Sequence, residues 1–168
     1  MKADKEKFIA LIDQNKKIIY KVCNLYCKQA DSREDLAQEI TLQLWRAFPS
    51  FDANYKLSTW MYKIALNVAI SFYRQEKRRI KNAIPLENEI FILSPDQDES
   101  DTKESTITLL HKYINQLDEL NKSIMLLLLE EFSYKEIADI TGITETNVAT
   151  KINRIKQSLK ENFKNQSI

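Results

Sequence analysis

Apolar residues recur along most of this chain every three or four positions, which is the repeat of an amphipathic α-helix. The first such stretch covers residues 4–27. A second helix is predicted to start at a Ser32 cap and to stop before Pro49, and a third to start at a Ser58 cap. The apolar stripes of the three are Phe8, Leu11, Ile12, Ile19, Val22 and Tyr26; Leu36, Ile40 and Leu44; and Trp60, Ile64, Val68 and Phe72.

Shorter periodic stretches follow in the last third of the chain. They predict four helices near residues 104–117, 121–131, 133–141 and 144–163. Asn121, Ser133 and Thr144 are candidate N-caps, and Ser133 with Glu136 matches the capping box. One glycine and three prolines in 168 residues favour long helices over a β-rich fold. The expected fold class is therefore all-α.

The charge is distributed unevenly, although the whole chain has a net charge of only +1. Residues 1–81 carry +7, residues 82–104 carry −6, and residues 105–168 are neutral. The acidic middle contains Pro85 and Pro95 and has no sustained periodicity, which is typical of a linker. We therefore predict two small helical domains, residues 1–81 and 105–168, joined by the linker 82–104.

Several kinds of chemistry find no support in the sequence. There is no glycine-rich phosphate loop, and the one histidine, His111, lacks a local catalytic signature. Cys23 and Cys27 are interpreted as small buried apolar side chains, because a zinc site needs more ligands. We expect no catalytic residue, metal, cofactor or small-molecule substrate. No apolar run is long enough to span a bilayer and no signal segment precedes the first helix, so we expect a cytoplasmic protein.

The segment Phe132–Val148 has the pattern of a helix-turn-helix. Ala138 is small where two helices would cross, and Gly142 lies where the chain must turn, often with positive φ. The start of the following helix would face the major groove, with Arg154 further along toward phosphates. Candidate base contacts are Thr144, Glu145, Thr146, Asn147, Thr150 and Lys151. A helical hairpin that binds protein is the alternative.

The third predicted helix mixes aromatic and basic residues, a combination typical of single-stranded DNA binding. The alternatives are that Trp60 anchors the core and that the basic run 77–81 is a solvated helix end. The preceding helix, residues 31–40, is acidic; it either docks on a basic partner or is an ordinary solvated face.

Together the two halves resemble the extracytoplasmic-function (ECF) sigma factors of the sigma-70 family. Asp35-Leu36-Ala37-Gln38-Glu39, Phe51-Asp52, Ser58-Thr59-Trp60 and Ile64-Ala65-Leu66-Asn67 are similar to the family's region two. Phe132–Ala138, Val148 and Asn153-Arg154 are similar to region four. Such a protein would bind core RNA polymerase and direct it to promoters.

The resemblance also implies which residues form the interfaces. Core polymerase would contact Asp35, Gln38, Glu39, Leu42 and Trp45. The minus-ten element, held as a melted strand with a flipped-out base, would contact Phe51, Tyr55, Lys56, Ser58, Trp60, Lys63, Asn67, Arg74, Lys77, Arg78 and Arg79. The minus-thirty-five element, bound as duplex, would contact Ser133, Tyr134, Thr144, Glu145, Thr146, Asn147, Thr150, Lys151 and Arg154.

The chain departs from the family pattern at a few positions. Ser71 stands where ECF factors usually have Asp, and Lys63 and Ile64 stand where primary sigma factors carry two tryptophans that aid melting. The absence of these tryptophans implies weaker melting of promoter DNA and a narrower choice of promoters than primary sigma factors have. An anti-sigma factor, wedged between the two domains, is a further expected partner. The alternative function is a helix-turn-helix regulator that binds duplex DNA without joining core polymerase.

Overall fold

The fold is entirely helical across residues 2–83 and 106–165, the two ranges that the computed structural model describes. Seven α-helices and one short 3₁₀ helix occur there, which confirms the predicted all-α class. The α-helices are α1 Lys2–Tyr26, α2 Ala30–Ala47, α3 Leu57–Ala83, α4 Thr106–Gln116, α5 Glu119–Leu129, α6 Tyr134–Thr141 and α7 Glu145–Asn165. The 3₁₀ helix, Phe48–Ser50, follows α2 directly. The predicted linker 82–104 lies outside the described residues from residue 84 onward.

The first three helices pack against one another around a core to which α1 and α2 contribute their predicted stripes. Leu36, Ile40 and Leu44 of α2 are completely buried. In α3 the predicted stripe packs at the edge of the core and not at its centre. Its Trp60, Ile64, Val68 and Phe72 are only partly buried, whereas the buried positions are Met61, Tyr62, Ala65, Leu66 and Ala69. The two alanines are only weakly hydrophobic, so the sequence pattern did not mark them as core positions. Their small size nevertheless suits close packing between helices.

Three of the predicted helix caps are wrong. Helix α2 begins at Ala30, after Gln29, so Ser32 lies inside the first turn. Helix α3 begins at Leu57, which places Ser58 inside the helix as well. Asn121 is also inside its helix, because Asp118 caps α5 by accepting a hydrogen bond from the Asn121 amide at 2.8 Å. A capping residue type is common within the first turn too, so residue type alone misplaced these starts by two or three positions.

The caps of the last two helices are confirmed. Ser133 and Glu136 form a complete capping box at the start of α6. Gly142 ends that helix in the left-handed conformation, with φ +76°. The Thr144 hydroxyl then accepts a hydrogen bond from the Asn147 amide at 3.2 Å and caps α7. Local residue chemistry therefore fixes the turn between α6 and α7.

Helices α5, α6 and α7 pack around Ile137, Val148 and Ile152, as the helix-turn-helix pattern predicts. A smaller cluster of Tyr113, Met125 and Ile155 holds α4 to this unit. The Tyr113 hydroxyl in that cluster donates to the Ile155 carbonyl at 3.0 Å.

The two groups of helices also contact each other, which the sequence did not predict. Helix α3 packs against α5 and α6, and a single apolar cluster includes residues of both groups. We call α1–α3 the front unit and α4–α7 the rear unit.

Cys23 in α1 and Cys27, which directly follows that helix, are both free and buried, as predicted. Burial, and less strongly the neighbouring Cys27, raises the pKa of the Cys23 thiol to about 12. A thiol that stays protonated at neutral pH is a poor nucleophile, so both cysteines serve the core.

Candidate polymerase and nucleic-acid interfaces

An open apolar groove of about 700 Å³ runs between α1 and α2. Its lining residues are Lys5, Phe8, Ile9, Ala37, Gln38, Thr41, Leu42 and Trp45. The Phe8 ring supports the Trp45 ring edge-on, with their centroids 5.0 Å apart. Ile9, Leu42 and Trp45 are 54%, 41% and 39% exposed. Large apolar side chains that cluster at a surface mark an interaction site.

The five residues predicted to contact polymerase divide between two faces of α2. Gln38, Leu42 and Trp45 line the apolar groove. Asp35 and Glu39 instead line a second, more polar groove, on the side of α2 that faces α3. Sequence reasoning missed the contribution of Phe8 and Ile9 from α1. The available signal was Ile9 itself, an apolar residue outside the buried stripe of its helix.

The polar groove between α2 and α3 has a volume of about 600 Å³. Asn67 and Ser71 of α3 share it with the carboxylates of Asp35 and Glu39. The Gln43 amide donates to a Glu39 oxygen at 2.7 Å and so orients that side chain. An aspartate at position 71 would add a third carboxylate here, so Ser71 makes this groove less acidic than the usual family pattern would.

A basic groove of similar size continues along α3 from Ser71. Its other lining residues are Arg74, Lys77, Arg78 and Lys81. They recur at helical spacing and therefore form one row of cations, a suitable surface for a phosphate backbone. The predicted contact Arg79 is not among the residues that line the groove, and its guanidinium lies 3.4 Å from the Glu76 carboxylate.

The segment between α2 and α3 presents the remaining front-unit candidates. The Phe51 and Trp60 rings contact each other, with centroids 4.8 Å apart, and both are half-buried. Tyr55 is 70% exposed, so its ring is open to stacking on a base. The Asp52 carboxylate accepts hydrogen bonds from the backbone and side chain of Asn54, both at 2.9 Å, which shapes the turn before Tyr55.

Lys63 is exposed on α3, and Ser58 and Lys56 lie at the start of that helix. The ammonium of Lys56 is 2.7 Å from the Glu136 carboxylate of α6. That contact, together with hydrogen bonds from Ser133, lowers the pKa of Glu136 to about 2. Lys56, one of the cations predicted to bind DNA, is therefore already paired with a carboxylate of the rear unit.

The rear unit presents the start of α7 to solvent. Glu145, Thr146 and Asn147 are exposed in its first turn, and Thr150 and Arg154 are exposed further along. Lys151 and Tyr134 are half-buried. The hydroxyls of Ser133 and Thr144 already act as helix caps, so they are less free for base contacts than the prediction assumed.

The described residues contain no group of three or more His, Cys, Asp or Glu that could hold a metal ion. Among these same residues no helix is long and apolar enough to cross a membrane.

Two family models match the chain, and together they span most of it. The model for sigma-70 region 2 matches residues 11–79, and the model for sigma-70 region 4 matches residues 107–159. These limits correspond to the front and rear units.

Curated relatives of similar length also match. ECF RNA polymerase sigma factor SigW of Bacillus subtilis is 28% identical over 97% of this chain and 92% of its own length. The ECF RNA polymerase sigma-E factor of Escherichia coli is 25% identical over 94% of this chain and 87% of its own.

Two solved structures share the fold. One is the sigma factor RpoE from Bartonella quintana, in complex with the anti-sigma factor NepR, with a TM-score of 0.70, 21% identity and 98% of both chains covered. The other is CnrH in complex with the cytosolic domain of CnrY, with a TM-score of 0.64, 17% identity and 94% and 87% covered.

Proposed function

This chain belongs to the sigma-70 family, as a sigma factor of its ECF group, and on that premise we propose how its surfaces divide the work of transcription initiation. The apolar groove between α1 and α2 binds core RNA polymerase. The α2–α3 loop, the polar groove and the basic row of α3 hold the melted minus-ten strand. The exposed start of α7 reads the minus-thirty-five element as duplex.

The observation that carries this proposal is the separation of surfaces on the front unit. Its apolar groove uses α1 and one face of α2, whereas its basic row uses the far end of α3. The front unit can thus bind another protein on one side and nucleic acid on another. Asp35 and Glu39 lie in the polar groove, where their charge would repel a phosphate. They are therefore proposed to contact a basic polymerase segment at the edge of the interface, or to accept hydrogen bonds from a base.

The C-terminal base contacts follow from side-chain chemistry. Asn147 can pair with adenine through two hydrogen bonds, and Glu145 can accept one from cytosine. Arg154, further along α7, suits a phosphate. The alternative of a stand-alone duplex regulator is not favoured, because it leaves the region-two unit without a role.

We propose that the chain itself performs no catalysis and acts in the cytoplasm, where the polymerase works. We also propose regulation by an anti-sigma factor, since two structures of this fold are complexes with a partner protein, and the partner in one of them, NepR, is an anti-sigma factor. In this structure α3 packs directly on α5 and α6, so an inhibitor wedged between the units would first have to separate them.

Two variants test the division of surfaces in reconstituted transcription. Leu42→Lys places a charge in the apolar groove at a 41% exposed position, so the fold is preserved and core binding is lost. Arg78→Ala shortens the basic row and should leave core binding intact while it weakens open complexes. If Leu42→Lys binds core polymerase as the unaltered chain does, the groove assignment is wrong. If Arg78→Ala loses core binding, the two surfaces are not separate.

A further inference from the structure

One acidic residue lies in the loop between α2 and α3, which is part of the surface proposed to hold the melted minus-ten strand. Asp52 is exposed, and it is the only carboxylate among residues 48–57. A carboxylate repels the phosphates of a bound strand. The neighbouring Tyr55 and Lys56, in contrast, suit a base and a phosphate. The charge of Asp52 therefore does not explain its place in this loop.

The Asp52 carboxylate is bonded within the loop itself. Its Oδ1 atom accepts hydrogen bonds from the Asn54 amide and from the Asn54 side chain, both at 2.9 Å. The Asp52 carbonyl accepts a third from the Tyr55 amide at 3.0 Å. A side-chain oxygen that accepts from the amide two positions on closes an Asx-turn, and a carbonyl that accepts from the amide three positions on closes a β-turn. Asp52 thus closes two nested turns, the second of which ends at Tyr55.

The helices hold the loop on either side of this double turn. Before the turn, the Phe51 ring contacts the Trp60 ring of α3, with centroids 4.8 Å apart. After the turn, the Trp60 amide donates to the Lys56 carbonyl at 3.2 Å, which joins the loop to the start of α3. Residues 52–55 are all exposed, and within the described part of the chain every hydrogen bond that involves them is accepted by Asp52. The shape of this segment therefore depends on one residue.

We propose that Asp52 is a positioning residue for promoter reading, because it holds the turn that presents the Tyr55 ring to a base of the melted minus-ten strand. A loop without these hydrogen bonds has to become ordered when the strand binds, and the entropy lost in that ordering lowers the affinity. Asp52 acts on the strand through Tyr55 and makes no contact with DNA of its own. This inference rests on the proposed function.

Two substitutions at this position separate the shape of the loop from its charge. Asp52→Ala removes both the acceptor and the charge, whereas Asp52→Asn removes the charge and keeps an oxygen that can accept the same hydrogen bonds. Asp52→Ala should weaken binding of the minus-ten strand about three- to tenfold, which is the effect of losing about one net hydrogen bond. Asp52→Asn should bind within twofold of the unaltered chain or more tightly, because the turn remains and the repulsion is gone.

Binding is measured with holoenzyme reconstituted from core polymerase and the full chain. The probe is a dye-labelled promoter that this holoenzyme transcribes, prepared with an unpaired minus-ten non-template strand, so that melting does not enter the affinity. Asp13→Ala is the matched control, because it removes the same charge from a side chain that is 78% exposed on α1. The affinity for core polymerase should be the same in all these chains, since neither position lines the apolar groove.

A double substitution tests whether Asp52 acts through Tyr55. Tyr55→Ala removes the ring that the turn presents, so adding Asp52→Ala to that chain should weaken binding by less than a further twofold. Losses that multiply in the double variant would indicate that Asp52 contacts the strand independently of Tyr55, and they would overturn the inference.

Two other results would also overturn it. One is an Asp52→Ala holoenzyme that binds the unpaired strand as tightly as the Asp13→Ala control does. The other is an Asp52→Asn holoenzyme that binds as weakly as Asp52→Ala, which would mean that the carboxylate's charge matters and not the turn. The proposed function fails separately, if the unaltered holoenzyme does not prefer the unpaired minus-ten strand to an unpaired strand of scrambled sequence.

Discussion

Trp45 offers the sharpest quantitative test of the apolar groove. Its ring is 39% exposed beside Leu42 and is supported edge-on by Phe8. A tryptophan can bury up to about 250 Å², so about 100 Å² of this side chain remains for a partner to cover. At about 25 cal/mol per Å², covering it contributes about 2.5 kcal/mol, or about 70-fold in affinity. Trp45→Ala should therefore weaken core-polymerase binding by about one to two orders of magnitude, as expected for an interface hot spot.

The assay is a titration of core polymerase into dye-labelled chain, followed by fluorescence anisotropy. Tyr20→Ala is the control, because Tyr20 is a 57% exposed aromatic residue of α1 that does not line the groove. By the same arithmetic about 150 Å² of the Trp45 side chain is buried in the free chain and contributes about 4 kcal/mol of stability, so circular dichroism first has to show that Trp45→Ala is folded at 25 °C. The reasoning is refuted if Trp45→Ala stays within twofold of the unaltered affinity, or if Tyr20→Ala weakens binding as much.

Three further predictions concern the rear unit. Gly142→Ala should lower the free energy of unfolding in urea by about 1–2 kcal/mol, because φ at this position is +76°, an angle that side chains disfavour. The added methyl would have open space around it, so Gly142→Asn, which tolerates this angle better, should lose less. Equal losses for the two variants would indicate a steric clash instead. Glu136 has a folded-state pKa of about 2, below its ordinary 4.5, so its carboxylate stabilises the fold above about pH 4.5 and loses that effect as pH falls toward 2. Glu136→Gln should flatten that part of the stability profile, and parallel profiles would argue against the Lys56 and Ser133 contacts. Asn147→Ala should weaken transcription about tenfold or more on promoters with an intact minus-thirty-five element, and hardly at all on promoters in which that element is scrambled. The control Asn153→Ala, on the same helix, should affect the two kinds of promoter equally.

The helix-turn-helix was predictable because its determinants are local. Ser133 and Glu136 are three residues apart, and Gly142 can adopt a backbone angle that other residues avoid. Each residue favours the same local structure, and the spacing between them leaves little freedom. The buried stripes of α1 and α2 were predictable for the same reason, since they repeat over several turns.

The helix starts predicted from Ser32, Ser58 and Asn121 were wrong, and for α5 the reason is a competing cap. Asp118 outcompetes Asn121 for the start of α5, and both residue types suit a cap. The prediction of the buried face of α3 was off-centre for a different reason. Ala65 and Ala69 are completely buried, and a search weighted toward large apolar residues passes over them.

Contacts distant in sequence could not be anticipated. Lys56 and Glu136 are 80 residues apart, and no local pattern in the sequence pairs them. The apolar groove also depends on packing between helices, because α1 supplies Phe8 and Ile9 to a site predicted on α2 alone, and the apolar Ile9 outside the buried stripe was the one local signal. Resemblance to the family suggested the surfaces, and the packing of the helices shows which of the suggested side chains share a groove.

The central claim is that one chain directs core polymerase to promoters through two separate readers. The most direct measurement is transcription by the reconstituted holoenzyme over a library randomised at both promoter elements, with start sites sequenced. Two conserved motifs at a fixed spacing should emerge, and Asn147→Ala should blur only the upstream one. Start sites that are the same with and without the chain would contradict the claim, as would the appearance of a single motif.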